Sequence, residues 1–101
     1  MSSTKQYLDY ILNQLSGLSE VSYRAMMGEF IVYYRGRIIG GIYDDRFMVK
    51  RAKSVENMVG NIVPEIPYDG AKEMFRIDDT DNAQLLCDIV KSVYQELYMK
   101  K

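Results

Sequence analysis

The chain has no histidine, no tryptophan, a single cysteine (Cys87) and only two prolines in 101 residues. Without histidine it lacks the commonest general base near neutral pH and the commonest metal ligand. One thiol and no imidazole leave no zinc site of the usual kinds within one chain, and no Cys-His or Ser-His nucleophile. A lone cysteine also excludes an intramolecular disulfide framework and fits a reducing compartment. No apolar run approaches the roughly 20 residues that span a bilayer. The first fifteen residues interrupt their apolar positions with Lys5, Gln6, Asp9, Asn13 and Gln14, unlike a secretory signal. A cytoplasmic protein without membrane association is expected. Gly36 and Gly40-Gly41 match neither the dinucleotide nor the Walker spacing.

Several things are present instead. Hydrophobic residues make up 48% of the chain, with nine tyrosines and seven methionines, a composition that suits one globular domain. The net charge of −1 conceals an asymmetry. Residues 22–53 carry Arg24, Arg35, Arg37, Arg46, Lys50, Arg51 and Lys53 against Glu29, Asp44 and Asp45. Residues 54–82 carry only Lys72 and Arg76 against seven acids. A basic stretch beside an acidic one points to charge matching, either within the chain or between subunits.

Periodicity divides the chain into elements. Leu8, Ile11, Leu12 and Leu15 recur at helical spacing after Ser3 or Thr4 as N-cap, with Gly17 placed for a left-handed C-terminal cap. Strands are predicted over Val21–Met27, Glu29–Tyr34, Arg37–Tyr43 and Arg46–Lys50, with Arg35-Gly36 and Asp44-Asp45 as turns. A short helix over Ser54–Val59, a loop around Pro64 and Pro67, and a strand over Lys72–Asp78 follow. Thr80 or Asp81 then caps a helix with the stripe Leu85, Leu86, Ile89, Val90, Val93 and Leu97, with Lys100 and Lys101 near its C-terminal dipole. The expected fold is α+β and two-layered: an antiparallel meander packed on one face by the N- and C-terminal helices, in one domain over residues 1–101.

Alternation sorts the meander into two faces. With two-residue turns, Ile31, Tyr33, Ile38, Gly40, Ile42, Phe47 and Val49 form the bed for the helices. The opposite face collects Phe30, Val32, Tyr34, Arg37, Ile39, Gly41, Tyr43, Arg46, Met48 and Lys50, which is too apolar for water. Phe30, Val32, Tyr34, Ile39, Tyr43 and Met48 are therefore the expected partner or homodimer interface. The alternatives are a loop or the last helix folded over this face, or a register slip that mixes the two faces. Arg35, Arg37, Arg46, Lys50, Arg51 and Lys53, interleaved with tyrosine, form a second candidate surface for nucleic acid. The acidic pI near 5.4 weakens its phosphate attraction.

No catalytic residue, metal or cofactor is expected. Asp44-Asp45 suit a turn and Asp78, Asp79 and Asp81 suit a helix start, for local hydrogen-bonding reasons. Cys87 has apolar and acidic neighbours that do not stabilise a thiolate, which makes it structural. A small-ligand sensor or enzyme would need convergent polar groups, for which Arg24 and Glu29 near Tyr68 are the candidates; an Arg24–Glu29 ion pair is the structural alternative.

Three segments carry a resemblance over nearly the whole chain: Tyr23-Arg24-Ala25-Met26-Met27-Gly28, Tyr33-Tyr34-Arg35-Gly36-Arg37 leading into Gly40-Gly41, and Pro67-Tyr68-Asp69-Gly70-Ala71-Lys72. The chain resembles the N-terminal domain of the TfoX/Sxy competence-regulator family. The better-known regulators have Met-Phe-Gly-Gly where this chain has Met26-Met27-Gly28-Glu29, and they continue into a helical second domain. The resemblance implies a stand-alone N-domain with a secretion-chaperone-like α+β fold and no enzymatic activity. It also implies a regulatory, protein-binding role as a transcription accessory; the competence regulators act with the cyclic-AMP receptor protein.

Overall fold

The first helix, α1 (Lys5–Gln14), begins where Thr4 accepts a hydrogen bond from the Tyr7 N–H, so Thr4 is the cap. Three consecutive hairpins follow. β1 (Val21–Met26), β2 (Glu29–Tyr34), β3 (Arg37–Ile42) and β4 (Phe47–Val49) are joined by the two-residue steps Met27-Gly28 and Arg35-Gly36 and by a turn at Asp44-Asp45. All six of these turn residues have positive φ, as type I′ hairpin turns require. Then come α2 (Lys53–Met58), β5 (Pro64–Glu65), β6 (Met74–Ile77) and α3 (Ala83–Tyr98). This computed structural model describes residues 3–60 and 62–99.

The six strands form one antiparallel sheet in the order β1-β2-β3-β4-β6-β5, flanked by the N- and C-terminal helices. This is the α+β, two-layer arrangement expected. Leu8, Ile11 and Leu15 from the first helix and Leu86, Ile89, Val90 and Val93 from the last meet Val32, Ile39, Ile42, Phe47, Val49, Phe75 and Ile77 in one core. Gln14 Nε2 donates to the Thr80 carbonyl at 2.8 Å, and Tyr10 donates to Asp81, which ties α1 to the approach of α3. The Cys87 thiol is buried and points at the Gln14 carbonyl, 3.7 Å away. No helix among the described residues is long and apolar enough to cross a membrane.

The face assignment needs correction, and one residue explains it. β2 and β3 pair as Tyr34↔Arg37 and Tyr33↔Ile38, but then as Val32↔Gly40. Ile39 is the extra residue of a β-bulge, and a one-residue shift exchanges the two faces of everything upstream. Phe30, Val32, Tyr34 and Ile39 therefore lie on the helix side: Val32 and Ile39 are fully buried, and Phe30 and Tyr34 pack against the core. Ile31, Tyr33 and Ile38 lie on the far side. Downstream of the bulge the expected sides hold, with Ile42, Phe47 and Val49 inward.

Smaller differences have local causes. Asn82, rather than Thr80 or Asp81, caps α3 by accepting from the Leu85 N–H at 3.1 Å. Gly17 is not left-handed, and Leu15 caps α1. Pro64–Glu65 forms a short edge strand where a loop was expected. Glu96 of α3 accepts from the Lys53 and Ser54 N–H groups, at 3.0 Å each, and so caps α2, which has no side-chain cap of its own. Lys100 and Lys101 lie outside the described residues.

Candidate functional site

The sheet face away from the helices has two halves. On the β4–β6–β5 half, Met48 points outward by alternation and is nevertheless fully buried, and Tyr43 and Pro67 are buried with it. The segment after β5 lies over them: the Tyr43 and Tyr68 rings sit 5.7 Å apart, and Arg46 Nη2 donates to the Pro67 carbonyl at 3.3 Å. A loop thus covers this half, so of the expected interface only Tyr43 and Met48 lie on this face, beneath that loop. Burial pushes the Tyr43 phenol above its ordinary range, with Tyr68 and Glu29 adding to the effect.

Charge organises the same half. Glu65 accepts from both Arg46 and Arg76, the latter at 2.8 Å, and Arg76 Nε also reaches Asp78 at 2.8 Å. Asp78, then Glu65, raise the Arg76 pKa, which keeps it charged. Arg51 pairs with Glu73 at 3.3 Å. The basic stretch and the acidic second half are therefore matched within the chain at Arg46–Glu65 and Arg51–Glu73.

Among the described residues no loop covers the β1–β2–β3 half in this way. Met26, Ile31, Tyr33 and Ile38 lie on this side by register. Met27, at the hairpin tip, is 96% exposed, and Met26 and Ile38 are also exposed. Sequence reasoning placed Ile31, Tyr33 and Ile38 on the helix side because it did not include the bulge. The tandem Gly40-Gly41, which interrupts the alternation, was the available signal.

The basic candidates separate into two places. Arg35 lies over the Tyr34 and Tyr94 rings at 5.8 and 5.9 Å, and Arg37 over Tyr98 at 5.5 Å. Lys50 Nζ donates to the Tyr98 hydroxyl at 3.0 Å, and that hydroxyl donates to the Ile38 carbonyl at 2.6 Å. These three cations gather around the last turns of α3. Arg51 and Lys53 follow directly in the chain, with Arg51 over the Phe75 ring at 5.7 Å. Arg46 sits apart, on Glu65.

Arg24 and Glu29 are diagonal neighbours on one face, but among the described residues no ion pair joins them. The Glu29 carboxylate instead accepts from Ser3 Oγ at 2.6 Å and from the Asp44 N–H at 3.1 Å. Glu29 and Tyr68 do share a cleft of about 590 Å³, with Met26, Met27, Asp44 and Arg46, but Arg24 is outside it. Among the described residues no group of three acidic or thiol side chains is placed to hold a metal ion.

No protein-family model matches the chain. The chain is similar to an uncharacterized 12.7 kDa protein in the trpE 5′ region of Spirochaeta aurantia, 28% identical over 81 residues. The match covers 78% of this chain and 69% of that protein.

Proposed function

We propose that the chain is a cytoplasmic, non-enzymatic regulatory module that binds a partner protein through the uncovered sheet half formed by Met26, Met27, Ile31, Tyr33 and Ile38. One observation carries this reading: half of the far face has its own loop and ion-pair cover, and the other half leaves Met26, Met27 and Ile38 exposed and Ile31 and Tyr33 half-buried. Apolar patches left open in this way mark interaction sites, and methionine adapts to varied partners. The resemblance to the TfoX/Sxy N-terminal domain supports a role beside a transcription factor. A photo-crosslinking amino acid placed at Tyr33 in cells is expected to give a discrete higher-mass adduct. The same group at Lys5, on the exposed side of α1, should not. Identical adducts at both positions, or none at Tyr33, would reject the reading.

A second reading, nucleic-acid binding, is favoured by the cations around Tyr94 and Tyr98. Its weakness is that these cations already stack on or bond to tyrosine. If it holds, a gel shift with single-stranded DNA is seen at low salt and disappears as salt rises. The double substitution R37A/K50A should then reduce binding by about tenfold or more, since each phosphate contact adds to the salt-dependent attraction.

A further inference from the structure

The two edges of the sheet differ. The β5 edge is two residues long and begins with Pro64, which has no N–H to offer. The β1 edge is six residues long, and all but its first residue are exposed. Its only charged residue is Arg24, which makes no ion pair among the described residues.

The ladder shows which backbone groups of β1 face outward. Arg35 N–H donates to the Glu20 carbonyl at 3.0 Å, one step beyond the Val21↔Tyr34 pair. Bonded and non-bonded pairs alternate along an antiparallel ladder. Ser22, Arg24 and Met26 therefore exchange hydrogen bonds with β2, and Val21, Tyr23 and Ala25 turn their N–H and C=O groups away from the sheet. Among the described residues nothing receives them.

We propose that these groups pair with the same strand of a second copy, antiparallel, about a two-fold axis through Tyr23 and perpendicular to the sheet. The axis keeps both helix layers on one side, so residues opposite one another must share a face. Two registers place the axis on the strand centre. One puts Arg24 opposite Arg24 of the second copy, a like-charge contact that disfavours it. The other puts Tyr23 opposite Tyr23, Val21 opposite Ala25 and Arg24 opposite Ser22.

In that second register Arg24 faces the entrance of the second copy's β1, where the Glu20 carboxylate accepts from Arg35 of its own chain at 3.0 Å. Glu65 accepts two guanidinium groups elsewhere in this fold, and Glu20 can take Arg24 as its second in the same way, once at each end of the seam. About six backbone hydrogen bonds form across the seam. Tyr23, 43% exposed in the single chain, meets its symmetry mate beside a groove of about 470 Å³ lined by Leu12, Leu15, Leu18 and Val21. This seam is distinct from the far-face surface proposed above and does not depend on it.

Light scattering on the full chain at high micromolar concentration is expected to give twice the chain mass. Tyr23→Pro removes an outward N–H and no bond to β2, so it should yield a monomer with unchanged far-UV circular dichroism. Arg24→Glu should raise the dissociation constant on the order of tenfold. Tyr33→Asp, on the far face, should leave the dimer intact, which separates this proposal from the far-face reading. A monomeric wild-type chain, including one that takes up a strand of another protein at β1, overturns the proposal. So does a folded Tyr23→Pro variant that remains a dimer; if that variant does not fold, an Arg24→Glu variant as tightly dimeric as wild type does the same.

Discussion

Replacing Gly40 by alanine is expected to lower stability by about 3 kcal/mol or more, read as a fall in the urea midpoint. A methyl group at this position would lie 2.1 Å from the Met48 carbonyl oxygen and 2.8 Å from Val49 Cα. Both atoms are backbone, and no side-chain rotation relieves the contact. β3 and β4 approach closely here because the Ile39 bulge kinks β3 immediately before Gly40 meets Val49. The informative control is Gly36→Ala. Gly36 has φ of +79° and nothing within 4 Å of an added methyl, so only backbone strain of about 1 kcal/mol is at stake. If Gly40→Ala cost no more than Gly36→Ala, the bulged register of β3 would be wrong.

The second large effect is expected at Phe47. Its side chain is fully buried in the centre of the helix-side core, between Ile42 and Ile77 on the neighbouring strands. Phe47→Ala should cost about 3–5 kcal/mol, the transfer energy of the ring plus the cavity it leaves. Small domains have a total stability of only about 5–15 kcal/mol, so this is a large share of it. Met27→Ala, at a position almost fully in water, is expected to leave the midpoint within about 0.5 kcal/mol of wild type. Measured together, the two report the contrast between core and surface directly.

Much of the architecture was legible because local signals agreed with one another. The 3.6-residue stripes of α1 and α3, and the turns at Arg35-Gly36 and Asp44-Asp45, each depend on residues close in sequence. The faces of β2 were not legible. Val32 and Ile31 are equally suited to either side, and the deciding event is one extra residue, Ile39, within the run Ile38–Ile42, whose five residues are all isoleucine or glycine. A loop over this face was among the alternatives, but which segment covers Met48 was not visible, because Pro67 and Tyr68 reach it only through the order in which β5 and β6 join the sheet. The α3 cap fell to Asn82 within the polar run Asp78–Asn82, where several residue types suit the position and the contacts of Tyr10 and Gln14 with Thr80 and Asp81 fix the frame. The expected interface residues Phe30, Val32, Tyr34 and Ile39 were assigned to the far face through a register that the bulge changes.

The succession of three tight hairpins also bears on how the chain reaches this state. Neighbouring hairpins need only short loops to close and form on a scale of about 1–10 μs. The β1–β4 meander can therefore assemble from nearby contacts alone. β6 must return to β4 across the whole stretch from Val49 to Met74, which carries a greater closure entropy. Pairing of β6, and with it the docking of α3 and the closing of the loop over Met48, is expected to be the late, non-local step of folding.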